Sequence, residues 1–181
     1  MEFKVFLFFF FMVCNLQAVQ VIMLMGPSCA GKSTLSKFLC AKLIENNEAW
    51  KVIDFDEVDE NIEQLLKTAN DYLAQDINVI IDTNTYENEM EKRFYGGSTV
   101  TKIIVTAPLE VLLQRDERRT QRLKRDEKRA FWCKHFVIES FERSLAWPSD
   151  LIIDSCEQSI EESCVIILHF LNTCTKPLPF L

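Results

Sequence analysis

Short apolar runs rich in β-branched residues alternate along the chain with longer stretches whose apolar positions recur every three to four residues. Residues 19–25 read as a buried strand, 50–55 as a second, and 78–82 as a third built on Val79, Ile80 and Ile81. Residues 100–106 predict a fourth strand and 151–153 a fifth. Between the first two, residues 33–45 place Leu35, Phe38, Leu39 and Leu43 on one helical face. Residues 57–75 repeat that spacing with Ile62, Leu65, Leu66, Ala69, Tyr72 and Leu73. A short helix is expected over 86–94, stopped by Gly96 and Gly97. Pro108 suits the first turn of a helix running to about residue 119. Further helices are expected over 130–145 and 159–171, and the prolines of the tail cannot continue the last one.

This alternation predicts an α/β, three-layer fold: a five-stranded parallel sheet with helices on both faces. In such sheets ligands bind outside the carboxyl ends of the strands. The residues just after each strand therefore carry the functional information.

Composition narrows the picture. A chain of 181 residues fits one domain, placed here at 19–172 with a tail at 173–181. Its 48% hydrophobic and 26% charged residues exclude collagen-like and disordered classes. A net charge of −7 argues against a general nucleic-acid-binding surface. The seven cysteines include no CxxC pair, and neither His135 nor His169 sits at zinc-ligand spacing, so no structural zinc is expected. Reduced thiols are the simpler reading.

Residues 1–18 carry Lys4, an apolar run over 5–14 and a small residue at Ala18, the layout of a secretory signal peptide. An apolar arm, or a start at Met12, accounts for them equally. The run is too short for a stable membrane span, which takes about 20 apolar residues. Cleavage after Ala18 would leave the first strand whole. The chemistry of the next segment, which needs a cytosolic co-substrate, argues instead for a cytoplasmic site of action.

The strongest chemical signal is Gly26-Pro27-Ser28-Cys29-Ala30-Gly31-Lys32-Ser33, a complete GxxxxGK[ST] between a predicted strand and a predicted helix. The glycines let backbone N–H groups turn toward a phosphate, and the helix adds its positive end. Lys32 supplies charge to the β- and γ-phosphates of ATP, and the Ser33 hydroxyl a ligand to Mg²⁺, with Thr34 as a weaker alternative. Asp54 and Asp56 close the second strand on one side of it. Asp56 is the first candidate for a base that accepts a hydroxyl proton, and Asp54 the second. A helix-capping role competes for both. Asp82, after the third strand, suits a Walker B position holding Mg²⁺, or else an Asx-turn or helix cap.

Residues 115–129 are strongly basic in an otherwise acidic chain. Such a segment suits a lid closing over phosphates. Arg115, Arg119 and Arg122 share one helical face, with Arg119 assigned to transition-state charge and the other two to nucleotide binding. A solvated helix laced with ion pairs is the alternative. Phe131, Trp132, Phe136 and Phe141 are expected in the core or on a cleft wall, and His135 in a structural role.

Together these residues resemble the small P-loop kinases, and within them the chloramphenicol phosphotransferase-like group, over about residues 20–171. The loop GPSCAGKST, the aspartate in IDFDE, the strand-to-lid passage APLEVLLQRDERR and the closing SDLIIDSCEQSIEESCVIIL carry the resemblance. It implies ATP-dependent phosphorylation of a hydroxyl on a small molecule, with Asp56 matching the catalytic aspartate and Lys32 and Ser33 the nucleotide site. A P-loop ATPase or nucleotide switch acting on a protein partner is the alternative, and a non-catalytic nucleotide-binding protein a third.

Overall fold

The first strand, β1 (Gln20–Met25), is inaccessible to solvent from Val21 to Met25. That uninterrupted apolar run needs cover on both faces, which the centre of a parallel sheet provides. The computed structural model describes residues 19–45, 48–58 and 60–174. The signal-peptide layout of residues 1–18 lies outside the described residues. Strands β2 (Trp50–Asp54), β3 (Asn78–Thr83), β4 (Thr99–Thr106) and β5 (Leu151–Asp154) complete one sheet in the order β2-β3-β1-β4-β5. All neighbours run parallel. Five helices connect and flank the strands: α1 (Lys32–Glu45), α2 (Ile62–Leu73), α3 (Leu109–Leu123), α4 (Glu127–Ser144) and α5 (Ile160–Cys174). The expected three-layer architecture is the one observed.

Strand alternation divides the core in two. Ile22 and Leu24 pack with Leu35 and Leu39 of α1 and Ile167 of α5. Val21, Met23 and Met25 pack on the other side with Leu65, Ala69 and Leu73 of α2. Among the described residues no helix is long and apolar enough to cross a membrane. Cys29, Cys40, Cys133, Cys156 and Cys164 are free thiols, and burial pushes those of Cys40 and Cys164 up.

Several boundaries differ from expectation. The helix expected over 57–75 is a 3₁₀ turn, Phe55–Val58, followed by α2, whose first turn is capped by the Asn61 carboxamide oxygen accepting from the Gln64 N–H at 3.1 Å. The helix expected over 86–94 shrinks to one 3₁₀ turn, Met90–Arg93, because Glu89 before it is left-handed (φ 62°). The helices expected to end near 119 and begin at 130 instead run to Leu123 and from Glu127. Lys124, at φ 50°, closes α3 as its N–H reaches Gln121 O and the Arg125 N–H reaches Thr120 O. Asp126 caps α4 by accepting from the Arg129 N–H at 2.7 Å. The basic segment is thus a tight helical hairpin. On α4 the buried face is Val137, Ser140 and Ser144, so Phe131 and Trp132 face solvent, contrary to expectation, and His135 is exposed.

The exit of β1 depends on one glycine. Gly26 has φ +141°, and a Cβ there would lie 2.1 Å from the Val105 carbonyl oxygen of β4. Neither backbone can yield without breaking the sheet. Gly26→Ala is expected to cost about 2–4 kcal/mol of stability in urea unfolding. Gly96→Ala, where a Cβ meets nothing within 4 Å, should stay within about 0.5 kcal/mol.

Candidate functional site

The segment between β1 and α1 forms a cradle held open from several sides. Cys29 (φ 66°) and Gly31 (φ 95°) adopt the left-handed conformations that turn successive N–H groups the same way. The Ser28 N–H donates to Ser140 Oγ of α4 at 3.1 Å. Arg115 of α3 donates to the Cys29 carbonyl at 3.3 Å and to Ser155, beyond β5, through both its hydroxyl and its carbonyl at 2.8 Å. Lys32 Nζ donates to the Pro27 carbonyl at 3.0 Å. The Lys32 side chain is almost wholly buried. That desolvation holds its ammonium below the ordinary lysine range, opposed by the negative charge of Asp82 and, more weakly, of Asp56 and Asp54.

A cavity of about 400 Å³ opens in front of this cradle. Ser28, Cys29, Gly31, Lys32, Ser33 and Thr34 form one wall, while Gly26, Pro27 and Ala30 lie buried behind it. Asp54, Asp56, Asp82, Thr83 and Asn84 form the opposite wall. The carboxyl ends of β1, β2 and β3 thus border one cavity. Asp56 leaves the strand in the 3₁₀ turn, and its N–H is fixed by the Asp54 carboxylate at 3.0 Å. Its own carboxylate stays exposed to the cavity.

Asp82 is 3% exposed, and its Oδ2 has no hydrogen-bond partner among the described residues. Burial pushes its carboxyl up, against the pull of Lys32 and a hydrogen bond from Ser33. It caps nothing. The turn after β3 is made by Thr83, whose hydroxyl accepts the Thr85 N–H and donates to the Thr85 carbonyl, both at 3.1 Å. A buried carboxylate oxygen without a donor, beside a serine hydroxyl, fits a hard divalent cation. Among the described residues no group of three or more His, Cys, Asp or Glu surrounds such a position. Mg²⁺ here would therefore take its remaining ligands from water and phosphate, as it commonly does.

Three of the four arginines of α3, Arg115, Arg119 and Arg122, reach the cavity together, as helical spacing requires. They are not equivalent. Arg115 is committed to the Cys29 and Ser155 contacts, whereas Arg119 and Arg122 are exposed at the mouth. Arg125, two residues beyond the end of α3, turns inward. Its Nη1 pairs with Asp116 at 2.8 Å and with Thr120 at 3.1 Å, and both charged side chains are at most 9% exposed. The Asp116 carboxylate also lies 4.0 Å from the Cys29 thiol, within reach of a weak S–H bond. This pair locks the hairpin and seats it beside the loop.

A second, smaller cavity of about 230 Å³ shares Cys29, Gly31, Thr34 and Arg115 with the first. Ser140, Asp116 and Arg125 escaped sequence reasoning. Ser140 left a faint signal, a serine at helical spacing from Val137 and Ser144. The Asp-Ser turn after the fifth strand belonged to the resemblance and marked Ser155.

A family model described as an AAA domain matches residues 21–135. No curated protein matches the chain. Among solved structures, the APS kinase CysC of Mycobacterium tuberculosis, determined with AMPPNP and APS, is 20% identical with a TM-score of 0.65, covering 86% of this chain and 98% of its own. A sugar kinase from Janibacter sp. HTCC2649 is 19% identical with a TM-score of 0.56, covering 86% of this chain and 95% of its own. The chain shares the fold of these kinases.

Breaking the Asp116–Arg125 pair leaves a buried charge unpaired. Asp116→Asn should lower stability by about 3 kcal/mol in denaturant unfolding. Arg93→Gln, which removes the more exposed pairs to Glu63 and Glu87, should cost less than about 1 kcal/mol.

Proposed function

The chain belongs to that AAA domain family, and from this premise we propose that it is an ATP-dependent kinase moving the γ-phosphoryl of ATP to a hydroxyl of a small molecule. One observation carries the reading. The cavity has a phosphate cradle with a buried lysine on one wall and two carboxylates, Asp54 and Asp56, on the other. A hydrolase needs only a water at that second wall, whereas an open cavity of about 400 Å³ leaves room for an acceptor.

The loop N–H groups and Lys32 hold the β- and γ-phosphates. Asp56 accepts the proton of the acceptor hydroxyl as its oxygen bonds to the γ-phosphorus and the bond to the bridging oxygen breaks, releasing ADP. Asp54 holds Asp56 in place through the Asp56 N–H. Arg119 and Arg122, on a helix whose far end is fixed by Asp116 and Arg125, bring positive charge to the phosphoryl oxygens. Arg115 ties the loop to the turn after β5 and borders the nucleotide. Mg²⁺, held by Ser33 and Asp82, would neutralise phosphate charge when bound. The acceptor of the chloramphenicol phosphotransferase-like group, a small neutral alcohol, is the finer part of the proposal. The sequence resemblance supports it.

Lys32→Ala should cut turnover at least about 10³-fold with the thermal transition intact. Asp56→Asn should cut phosphoryl transfer about 10²–10⁴-fold while nucleotide affinity stays within about threefold. Asp54→Asn should cost less, since it shifts the base without removing it. Stopped assays of ADP release and calorimetric nucleotide titrations measure both. Full activity in Asp56→Asn contradicts the assignment.

A further inference from the structure

Three large apolar side chains stand in solvent around the turn between α3 and α4. Leu123 is 53% exposed, Phe131 54% and Trp132 62%. Helical periodicity accounts for the last two. α4 buries Val137, Ser140 and Ser144, so its opposite face carries Phe131, Trp132, His135 and Ile138. The Phe131 ring meets Trp132 edge-on with centroids 5.8 Å apart, and it meets His135 at 4.1 Å. The aromatics therefore form one cluster. A groove of about 580 Å³ runs beside it and shares no residue with the phosphate cavity. Scattered exposed apolar residues are ordinary, whereas a cluster on one helix face marks a contact surface.

Charge decides what fits that surface. Residues 115–129 carry eight basic and four acidic residues, a net +4 in a chain whose total is −7. Arg125 and Asp116 cancel in the interior, so the positive excess stays outside. Lys124, Lys128, Arg129 and Lys134 are exposed on either side of the aromatic pair in the chain. The acidic remainder of the protein is repelled by an anionic surface, which turns the hairpin toward it. Tryptophan, phenylalanine and leucine among lysines and arginines suit the headgroup level of an anionic bilayer. The rings enter the interface while the cations reach the headgroups. Single-stranded nucleic acid fits less well. It needs a basic groove along its backbone, and the groove here is rimmed by Glu139 and Glu142. Among the described residues no helix is long and apolar enough to cross a membrane, so the contact is one of surface docking.

We infer that the tip of the α3–α4 hairpin docks on an anionic lipid surface, with Phe131 and Trp132 at headgroup depth and Lys124, Lys128 and Arg129 against the lipid anions. The inference stands on this surface and is independent of the kinase reading.

The test is co-sedimentation of the full chain with vesicles of phosphatidylcholine, alone or with about one third phosphatidylserine. The wild-type protein should partition at least about tenfold more strongly onto the anionic vesicles, and the preference should fade as salt rises. Phe131→Ser combined with Trp132→Ser should lower that partitioning about tenfold, and Lys128→Gln combined with Arg129→Gln about threefold or more. Both double variants should keep the thermal transition, because all four side chains are exposed. Equal partitioning onto neutral and anionic vesicles, or none onto either, overturns the inference. Binding that neither double variant weakens also overturns it and assigns the lipid affinity to the apolar run over 5–14. A single-stranded RNA that displaces the vesicles through the same residues, or a dimer that the aromatic double variant dissociates, overturns it in favour of a nucleic acid or a second copy of the chain.

Discussion

Lys32 is a cationic amine inside a protein, and the rest of the site is arranged around that fact. Burial depresses the ammonium, and the nearest compensating charge is the carboxylate of Asp82, itself buried and pushed the other way. Neither group would be stable alone at such depth. Each is tolerable because the other is present and because both face a cavity that phosphate and a cation can enter. The loop that carries Lys32 must in turn fold tightly enough to aim it, and Gly26 against the Val105 carbonyl leaves no room for any side chain there. A binding site of this kind stores unsatisfied polarity at the one place where a ligand will satisfy it.

The basic segment shows how such a site is built from a uniform-looking stretch of charge. Helical periodicity sends Arg115, Arg119 and Arg122 toward the cavity and leaves Asp116 buried beside Cys29. The left-handed Lys124 then reverses the chain so that Arg125 meets Asp116 in the interior. Arg115 fastens the phosphate loop to the turn after β5, and Ser140 fastens it to α4. The loop is thus held by three elements distant in sequence, and Arg119 and Arg122 alone of the three cavity-facing arginines stay exposed.

Much of this was legible in the chain. The strands declared themselves because β1 and β3 are buried on both faces and so read as unbroken apolar runs. The phosphate loop was legible because glycine, lysine and serine at fixed spacing are demanded by local backbone chemistry. Helix ends were not, because they turn on single caps: Asn61, Lys124 and Asp126 act through one or two hydrogen bonds each. The partners of the loop were also hidden. Ser28 meets Ser140, and Cys29 meets Arg115, across separations that no local pattern encodes. Arg119 and Arg125 look alike in the sequence, and only the turn between α3 and α4 sends one outward and the other in. The aromatics of α4 misled for a related reason: their number suggested a core face, but the buried stripe of that helix runs through Val137, Ser140 and Ser144.

The central claim is that phosphoryl transfer, rather than hydrolysis alone, takes place between the two walls of the larger cavity. The most direct measurement follows the label of γ-labelled ATP with Mg²⁺ across hydroxylated acceptors, among them chloramphenicol, nucleosides, sugars and shikimate. The account predicts label in at least one acceptor, formed with one ADP per phosphate transferred. Release of free phosphate at the same rate with and without every acceptor would contradict it and favour an ATPase or switch that acts on a protein partner.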